Sequence, residues 1–473
     1  MSEATSVAAA AAPPLPALTA SRRSPAMALL RAAGVALFLS ALFVPGNYYA
    51  GDPEAGKYWV PQFTRFMALA LFALSVDLVW GYTGLLSLGQ GLYFGLGAYA
   101  AGYSLKLQSA ALEVDKPFVA APDMALPDFM EYCRLKAVPF WVQPLIDIRL
   151  ALVLAVLLPA VVAALFGGLT FWRRIKGVFF ALITQALLLA FFTLVVTQQP
   201  YTGGVVGMTK LAKLQLFGYK FQYHDLVTLH PFGRELKISP IYCLVTGVLA
   251  VCFLGCLALV RSKFGRVLTA IRDSEYRVLA LGYNTAAYKT FVFALAGALA
   301  GLAGALYVSA IGTAGPDRFG IGFSIEVVIL VAVGGRGTLF GPVVGTLLVM
   351  FANTYFNNEN LKAWATLVLL VSVLAAVLAA VGLTRRLGRL PRAVVCVAAA
   401  GAALAAARYY VLPRWGPWLI DYFKLEDKPA WPILLGALFI LVVVFLREGV
   451  VGGVLSLAAW LRRLAAAPRK EGV

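Results

Sequence analysis

The sequence is poor in charge, in histidine and in cysteine. Of its 473 residues only 13% are Asp, Glu, Lys or Arg, about half the share found in a soluble domain. That leaves too little polar surface to solvate a 50.6 kDa globule. The only histidines, His224 and His230, have no cysteine ligands nearby and no helical ligand spacing, which argues against a metal site. The five cysteines show no regular spacing, so neither a disulfide framework nor a thiolate cluster is expected. Cys252 and Cys256 share a helical face, where cysteine acts as a small hydrophobe. Acids are scarcer than bases, 22 against 40, for a net charge of +18. In a chain this apolar, excess Lys and Arg reads as an orientation signal before it reads as a nucleic-acid footprint.

Apolar residues fill the sequence instead, at 61% with a mean hydropathy of +0.83. A bilayer span needs about 20 mostly apolar residues. Runs of this kind lie near 27–45, 61–80, 85–104, 150–172, 177–198, 239–260, 290–311, 323–335, 341–356, 361–383, 393–407 and 432–446. The pattern predicts an all-α, polytopic membrane bundle of about 12 spans, some short or broken. Residues 1–26, rich in Ala, Pro and Ser, are expected to be a disordered tail. Residues 27–356 form the transmembrane core, 357–412 an inserted helical hairpin, and 413–473 a final span with a basic tail. Arg22 and Arg23 precede the first apolar run, yet no small-x-small cleavage site closes it at Pro45, so an uncleaved span is expected. With both termini inside, inner segments hold 21 basic residues against five acids and outer segments 17 against 15. The runs beginning at Arg173, Arg261 and Arg385 weigh most, because short loops set topology. Two long outer loops, 105–149 and 199–238, have the composition to fold over the outer face.

Several motifs invite enzymatic readings that their context rejects. Gly51-Asp52-Pro53-Glu54-Ala55-Gly56-Lys57 satisfies most of a phosphate-loop pattern, but Tyr58 replaces the magnesium-binding hydroxyl and two spans flank it. Gly335-Arg336-Gly337-Thr338-Leu339-Phe340-Gly341 has one residue too many for a dinucleotide fingerprint and predicts a tight turn between short helices. Gly297 and Gly301, spaced by four, predict close helix packing. Four ionisable residues fall inside spans. Arg31 and Arg65 lie near span ends and can snorkel. A carboxylate in hydrocarbon needs a partner or water, so Asp77 and Glu326 are candidate substrate-path residues, with helix-fixing hydrogen bonds an equal explanation for Asp77 and an interfacial position favoured for Glu326. Thr83, Ser87 and Gln90, which precede Gly91 and Gly95, place hydroxyl and amide groups at membrane depth and join the candidate path.

The most charged inner segment runs from Arg261 to Lys289. Within it Val267, Leu268 and Ile271 form one helical face, leaving Arg266, Arg272, Asp273 and Glu275 to water or a partner, with Arg277 following. Phe264 to Gly282, Lys289-Thr290-Phe291, the glycine-rich helix ending Ala305-Leu306-Tyr307, Gly81 to Gly89, Val333 to Leu339 and Leu435 to Leu441 together resemble the permease subunits of branched-chain amino acid and urea ABC importers. The urea branch is the more similar through Pro127-Asp128-Phe129-Met130 and Ser324-Ile325-Glu326. Gln90, where the family often has His, and the segment Thr202 to Thr209 depart from its pattern and bear on substrate identity.

The resemblance implies a transport subunit of a bacterial-type inner membrane that is not itself an enzyme. It would bind no cofactor, with ATP used by partner chains. Those partners would be a second homologous permease, two ATP-binding subunits on the inner side and an external substrate-binding protein. Arg266, Arg272, Asp273, Glu275 and Arg277 would couple the ATPases to the path, and urea or short amides would be the substrate. The alternatives are a branched-chain amino acid permease of the same kind, or a proton-coupled secondary transporter using Asp77 or Glu326.

Overall fold

The structure, a computed structural model, describes residues 34–45, 53–113, 126–135, 138–140, 142–175, 177–216, 219–220, 227–229, 236–357 and 436. The expected tail at 1–26 and, past Asn357, the hairpin at 357–412 lie outside them, as does the last span at 432–446 apart from Gly436. The chain divides into two compact units, Met1–Pro45 and Gly46–Val473. The first contains the apolar helix α1 (Gly34–Pro45).

In the second unit, α2 (Pro53–Thr83) starts on a proline, whose fixed φ suits a first helical turn. The helix begins earlier than expected and takes Pro53 to Lys57 of the phosphate-loop-like run into its opening turns. From Phe66 to Leu74 every residue is buried, the mark of a helix at the centre of a bundle. A break at residues 84–89 leads to α3 (Gln90–Glu113), which runs past the expected end at 104. A short helix α4 (Asp128–Tyr132) and a 3-10 turn (Gln143–Ile146) precede α5 (Ile148–Trp172), α6 (Val178–Thr197) and α7 (Gln199–Thr202). Two small antiparallel hairpins follow, β1 (Gln215–Leu216) with β2 (Tyr219–Lys220), and β3 (Val227–Leu229) with β4 (Leu236–Ile238). Then come α8 (Pro240–Arg261), α9 (Lys263–Ala280), α10 (Thr285–Ile311), α11 (Ile321–Gly334) and α12 (Phe340–Asn357). Among the described residues, five helices are long and apolar enough to cross a membrane: α2 from Tyr58, α5, α6, α8 and α10.

Packing in lipid inverts the soluble pattern, because tails outside are as apolar as side chains inside and close approach replaces hydrophobic drive. α5 shows this directly. Its buried stripe is Ala151, Ala155, Pro159, Ala163 and Gly167, while Leu150, Val153, Leu157, Val161, Leu165 and Leu169 point outward. The small stripe faces α10, the helix at the heart of the unit, which also packs on α3 and α2. Gly301 lets α10 touch both neighbours: a methyl at Gly97 of α3 would collide with its carbonyl, and a methyl on Gly301 would collide with the carbonyl of Ala155. The expectation of close helix packing at Gly297 and Gly301 therefore matches the structure. Asn284 caps α10, its Oδ1 accepting from the Ala287 N–H at 3.2 Å.

At one end of the bundle the loop residues fold back on the helices. Met130, Val138, Val142 and Leu145 join Tyr103 and Leu107 of α3 and Ala151 of α5 in one buried cluster. Lys106 anchors this end. Its side chain is 2% exposed, with Nζ 2.5 Å from Asp128 Oδ1 and donating to the Thr209 carbonyl at 2.9 Å. Residues 208 and 314 pair as a bridge, each N–H donating to the other's carbonyl at 2.7 and 2.8 Å. Because Lys106 is buried and Asp128 is 44% exposed, losing the carboxylate is worse than losing the amine. We expect Asp128→Asn to destabilise the solubilised protein by about 3 kcal/mol, the scale for a stranded buried charge. Lys106→Met should cost less, and the double variant should recover most of the Asp128→Asn loss in thermal unfolding.

Candidate translocation path and coupling helix

The interruption between α2 and α3 places irregular backbone among buried helices, which is tolerated at membrane depth only against protein or a wet cavity. α2 stops where Thr83 Oγ1 turns back to the Val79 carbonyl at 2.6 Å and Gly84 takes φ +75°. Hydroxyls from two other helices then hold the extended stretch. The Leu88 N–H donates to Thr184 Oγ1 of α6 at 3.3 Å, and the Gly91 N–H to Ser324 Oγ of α11 at 3.2 Å. Ser87 and Gln90 are buried here, and neither Ser87 Oγ nor either polar atom of the Gln90 amide has a hydrogen-bond partner among the described residues. An unmatched buried donor and acceptor carry the full desolvation cost, which singles out Gln90 among the described residues.

The other expected path residues divide between two places. Glu326 is half-buried on α11, two residues beyond Ser324. With Arg65, Asp317 and Arg318 it lies close enough to act electrostatically on the buried phenol of Tyr307, over whose ring the Arg318 guanidinium sits at 5.9 Å. Asp77 is fully buried at the far side of the break. Its Oδ1 accepts from the Gly337 N–H at 2.6 Å and its Oδ2 from the Leu339 N–H at 3.4 Å. These amides belong to the tight turn between α11 and α12, present as the glycine pattern predicts. The structure thus gathers Ser87 and Gln90 with α6 and α11, and gives Asp77 the helix-fixing bonds that were its second explanation.

α9 carries the expected coupling charges. Ser262 opens it, its Oγ accepting from the Gly265 N–H at 3.4 Å. Leu268 and Ile271 are buried on one face, and Phe264 stacks on Tyr288 of α10 at 5.0 Å. Arg266, Asp273 and Arg277 are exposed. Arg272 reaches back into the bundle, its Nη1 donating to the Gly81 carbonyl at 2.8 Å while its Nε lies 3.2 Å from Asp273. Glu275 corrects the expectation of a solvated charge. Beyond a kink at Ser274 (φ −161°, ψ 93°) it turns inward to Lys289 Nζ at 2.6 Å and accepts from Thr285 Oγ1 at 3.1 Å. Past the kink the outer surface is apolar and aromatic, with Tyr276, Leu279, Leu281 and Tyr283 exposed.

Sequence reasoning met Lys289, Ser324 and Gly81 only inside the family-like blocks, with no role given to them, and passed over Thr184. Lys289 was signalled by its position at the mouth of an apolar helix, four residues after Thr285. Nothing in the spacing of Thr184 or Ser324 distinguishes them from other hydroxyls in apolar helices, most of which bond their own backbone.

The permease component of branched-chain amino acid transport systems describes residues 61–378 of this chain. The high-affinity branched-chain amino acid transport system permease protein LivM of Salmonella typhimurium is 24% identical over 336 residues, 68% of this chain and 69% of that protein. The LivM of Escherichia coli is 23% identical with the same coverage. The ribose import permease protein RbsC of Escherichia coli is 26% identical over 241 residues, 49% of this chain and 69% of that protein. No solved structure matches. The match spans the helical core from α2 to α12, the break, α9 and the glycine turn included, and the chain belongs to the family of branched-chain amino acid transport system permease components.

Proposed function

We propose that this chain is the multi-pass permease subunit of an ATP-driven importer for branched-chain aliphatic α-amino acids. The observation that carries the reading is the family match across the whole described core, joined by LivM relatives over two thirds of both chains. Urea, the substrate favoured by the likeness of Pro127 to Met130 and Ser324 to Glu326, has less support, because the relatives named above carry amino-acid and ribose names. As a transport component the chain leaves ATP hydrolysis to partners. We assign α9 as the ATPase-facing element, with both termini on its side of the membrane, and a second permease and an external binding protein as the remaining partners. The exposed Tyr276, Leu279, Leu281 and Tyr283 beside Arg277 have the aromatic and arginine character that dominates protein interfaces.

For the path we assign Thr83, Ser87, Gln90 and Glu326. A zwitterionic substrate suits Gln90, since Nε2 can donate to its carboxylate while Oε1 accepts from its ammonium. The deciding experiment is reconstitution with the two ATPases, the second permease and the binding protein in liposomes. Leucine uptake should require ATP, resist collapse of the proton gradient, and yield to valine and isoleucine but not to urea or ribose. Proton-driven uptake would establish the secondary-transporter reading instead.

Two variants sharpen this. Gln90→Leu should weaken leucine transport about tenfold in kcat/KM, the scale of a lost hydrogen bond to a charged group, at unchanged membrane abundance; wild-type kinetics would take Gln90 out of the path. Glu275→Lys sets two ammonium groups against each other and should abolish ATP-driven uptake, while Glu275→Lys combined with Lys289→Glu restores the pair and part of the uptake. Uptake normalised to immunoblotted protein checks both.

A further inference from the structure

Three elements meet at the end of α2, and their bonds run in a chain. Asp77 and Gly81 lie four residues apart on one face of that helix. Asp77 holds the amides of Gly337 and Leu339, at the turn that opens α12. One helical turn further, the Gly81 carbonyl takes the guanidinium of Arg272 from α9. Gly81 has no side chain to keep the parts separate: a Cβ there would lie 2.5 Å from the Gly337 nitrogen and 2.7 Å from its Cα. Arg272 Nη1 itself stands 3.5 Å from where a Cβ on Gly337 would be. Helix ends favour these charges, an anion at the start of α12 and a cation at the last turn of α2. The turn is backbone that must be held, with φ +112° at Gly335, +76° at Gly337 and +57° at Leu339; a leucine persists in the left-handed region only where its surroundings fix it.

From this joint a rigid element reaches the break. α11 ends at Gly334 beside the turn, and near its other end Ser324 holds the Gly91 amide next to Gln90. Resting on the importer reading above, we propose that Asp77, Gly81 and Arg272 form a mechanical linkage. Displacement of α9 by the ATPases pulls the end of α2 through Arg272 and Gly81, Asp77 passes the pull to the glycine turn, the turn moves α11, which it continues at Gly334, and α11 shifts the Ser324 clamp on the broken helix at Gln90. Asp77 and Arg272 are positioning residues here and touch no substrate.

The test uses the complete importer in liposomes, with the chain's own cysteines replaced and spin labels on exposed Leu348 of α12 and exposed Leu165 of α5. In the wild type, trapping the ATP-bound state should shift the distance between labels. Arg272→Gln should abolish that shift while hydrolysis continues, raising the ATP consumed per leucine moved about tenfold; Arg272→Lys, which keeps a donor, should recover part of it. Asp77→Asn should behave like Arg272→Gln, and the double variant no worse than either, because both cut one linkage. Since the Arg272 side chain is 40% exposed, its variants answer even if Asp77→Asn fails to fold. A wild-type distance shift and ATP ratio in Arg272→Gln would overturn the proposal. Wild-type uptake indifferent to ATP would overturn the importer reading with it, and would be seen before any variant is compared.

Discussion

A carboxyl group shut away from water must be given donors by the chain, and a helical bundle has few to give, because its helices use their own amides internally. The amides left over are those at helix starts. Asp77 of α2 is fully buried and takes two of them, at Gly337 and Leu339. Much follows from that requirement. The turn between α11 and α12 is fixed against α2, the side chain at position 81 is reduced to hydrogen, and the end of α2 comes within reach of Arg272. Lys289 with Glu275, and Lys106 with Asp128, answer the same demand with ion pairs at other edges of the bundle.

Hydroxyls handle the smaller version of the problem. Most serine and threonine side chains in these helices bond back to a carbonyl three or four residues earlier, as Ser75, Thr170 and Thr346 do. Thr184 does the same to Ala181 at 2.8 Å while its oxygen also accepts from the Leu88 amide, and Ser324 accepts from the Gly91 amide, both on the broken stretch between α2 and α3. The break is thus supported from two sides, while the Gln90 amide has no hydrogen-bond partner among the described residues.

The helical architecture was readable from composition and run length, because an apolar run long enough to span a bilayer has few other ways to satisfy its backbone. The starts of α5, α6 and α8 fall within two residues of where charge and turn residues place them. Asp77 and Gln90 stood out for the same physical reason, as polar groups where solvation is costly. The donors that meet Asp77 did not, since Gly337 and Leu339 offer backbone amides, which every residue has, from about 260 positions away. Glu275 was misplaced because it was grouped with its charged neighbours: four residues after Ile271 and seven after Leu268 it falls on their buried face, and past the kink at Ser274 the chain still carries it inward to Lys289. The extension of α2 back to Pro53 and of α3 on to Glu113 had little apolar signal, because these ends leave the run that hydropathy detects.

The length of α5 has a bearing on the surrounding bilayer. At 25 residues it is about 37 Å long, and α10, bound to it through Gly301, with 27 residues, about 40 Å, whereas the hydrocarbon core is about 30 Å thick. α6, joined to α5 by a short turn, has 20 residues and fits that thickness upright. The longer pair must lean or thicken the lipid around it, and because the glycine contact lets neither helix lean alone, α5 and α10 tilt together. Bilayer thickness thereby becomes a mechanical input to the two helices that pack on α3, so membrane composition bears on the helix that starts at Gln90.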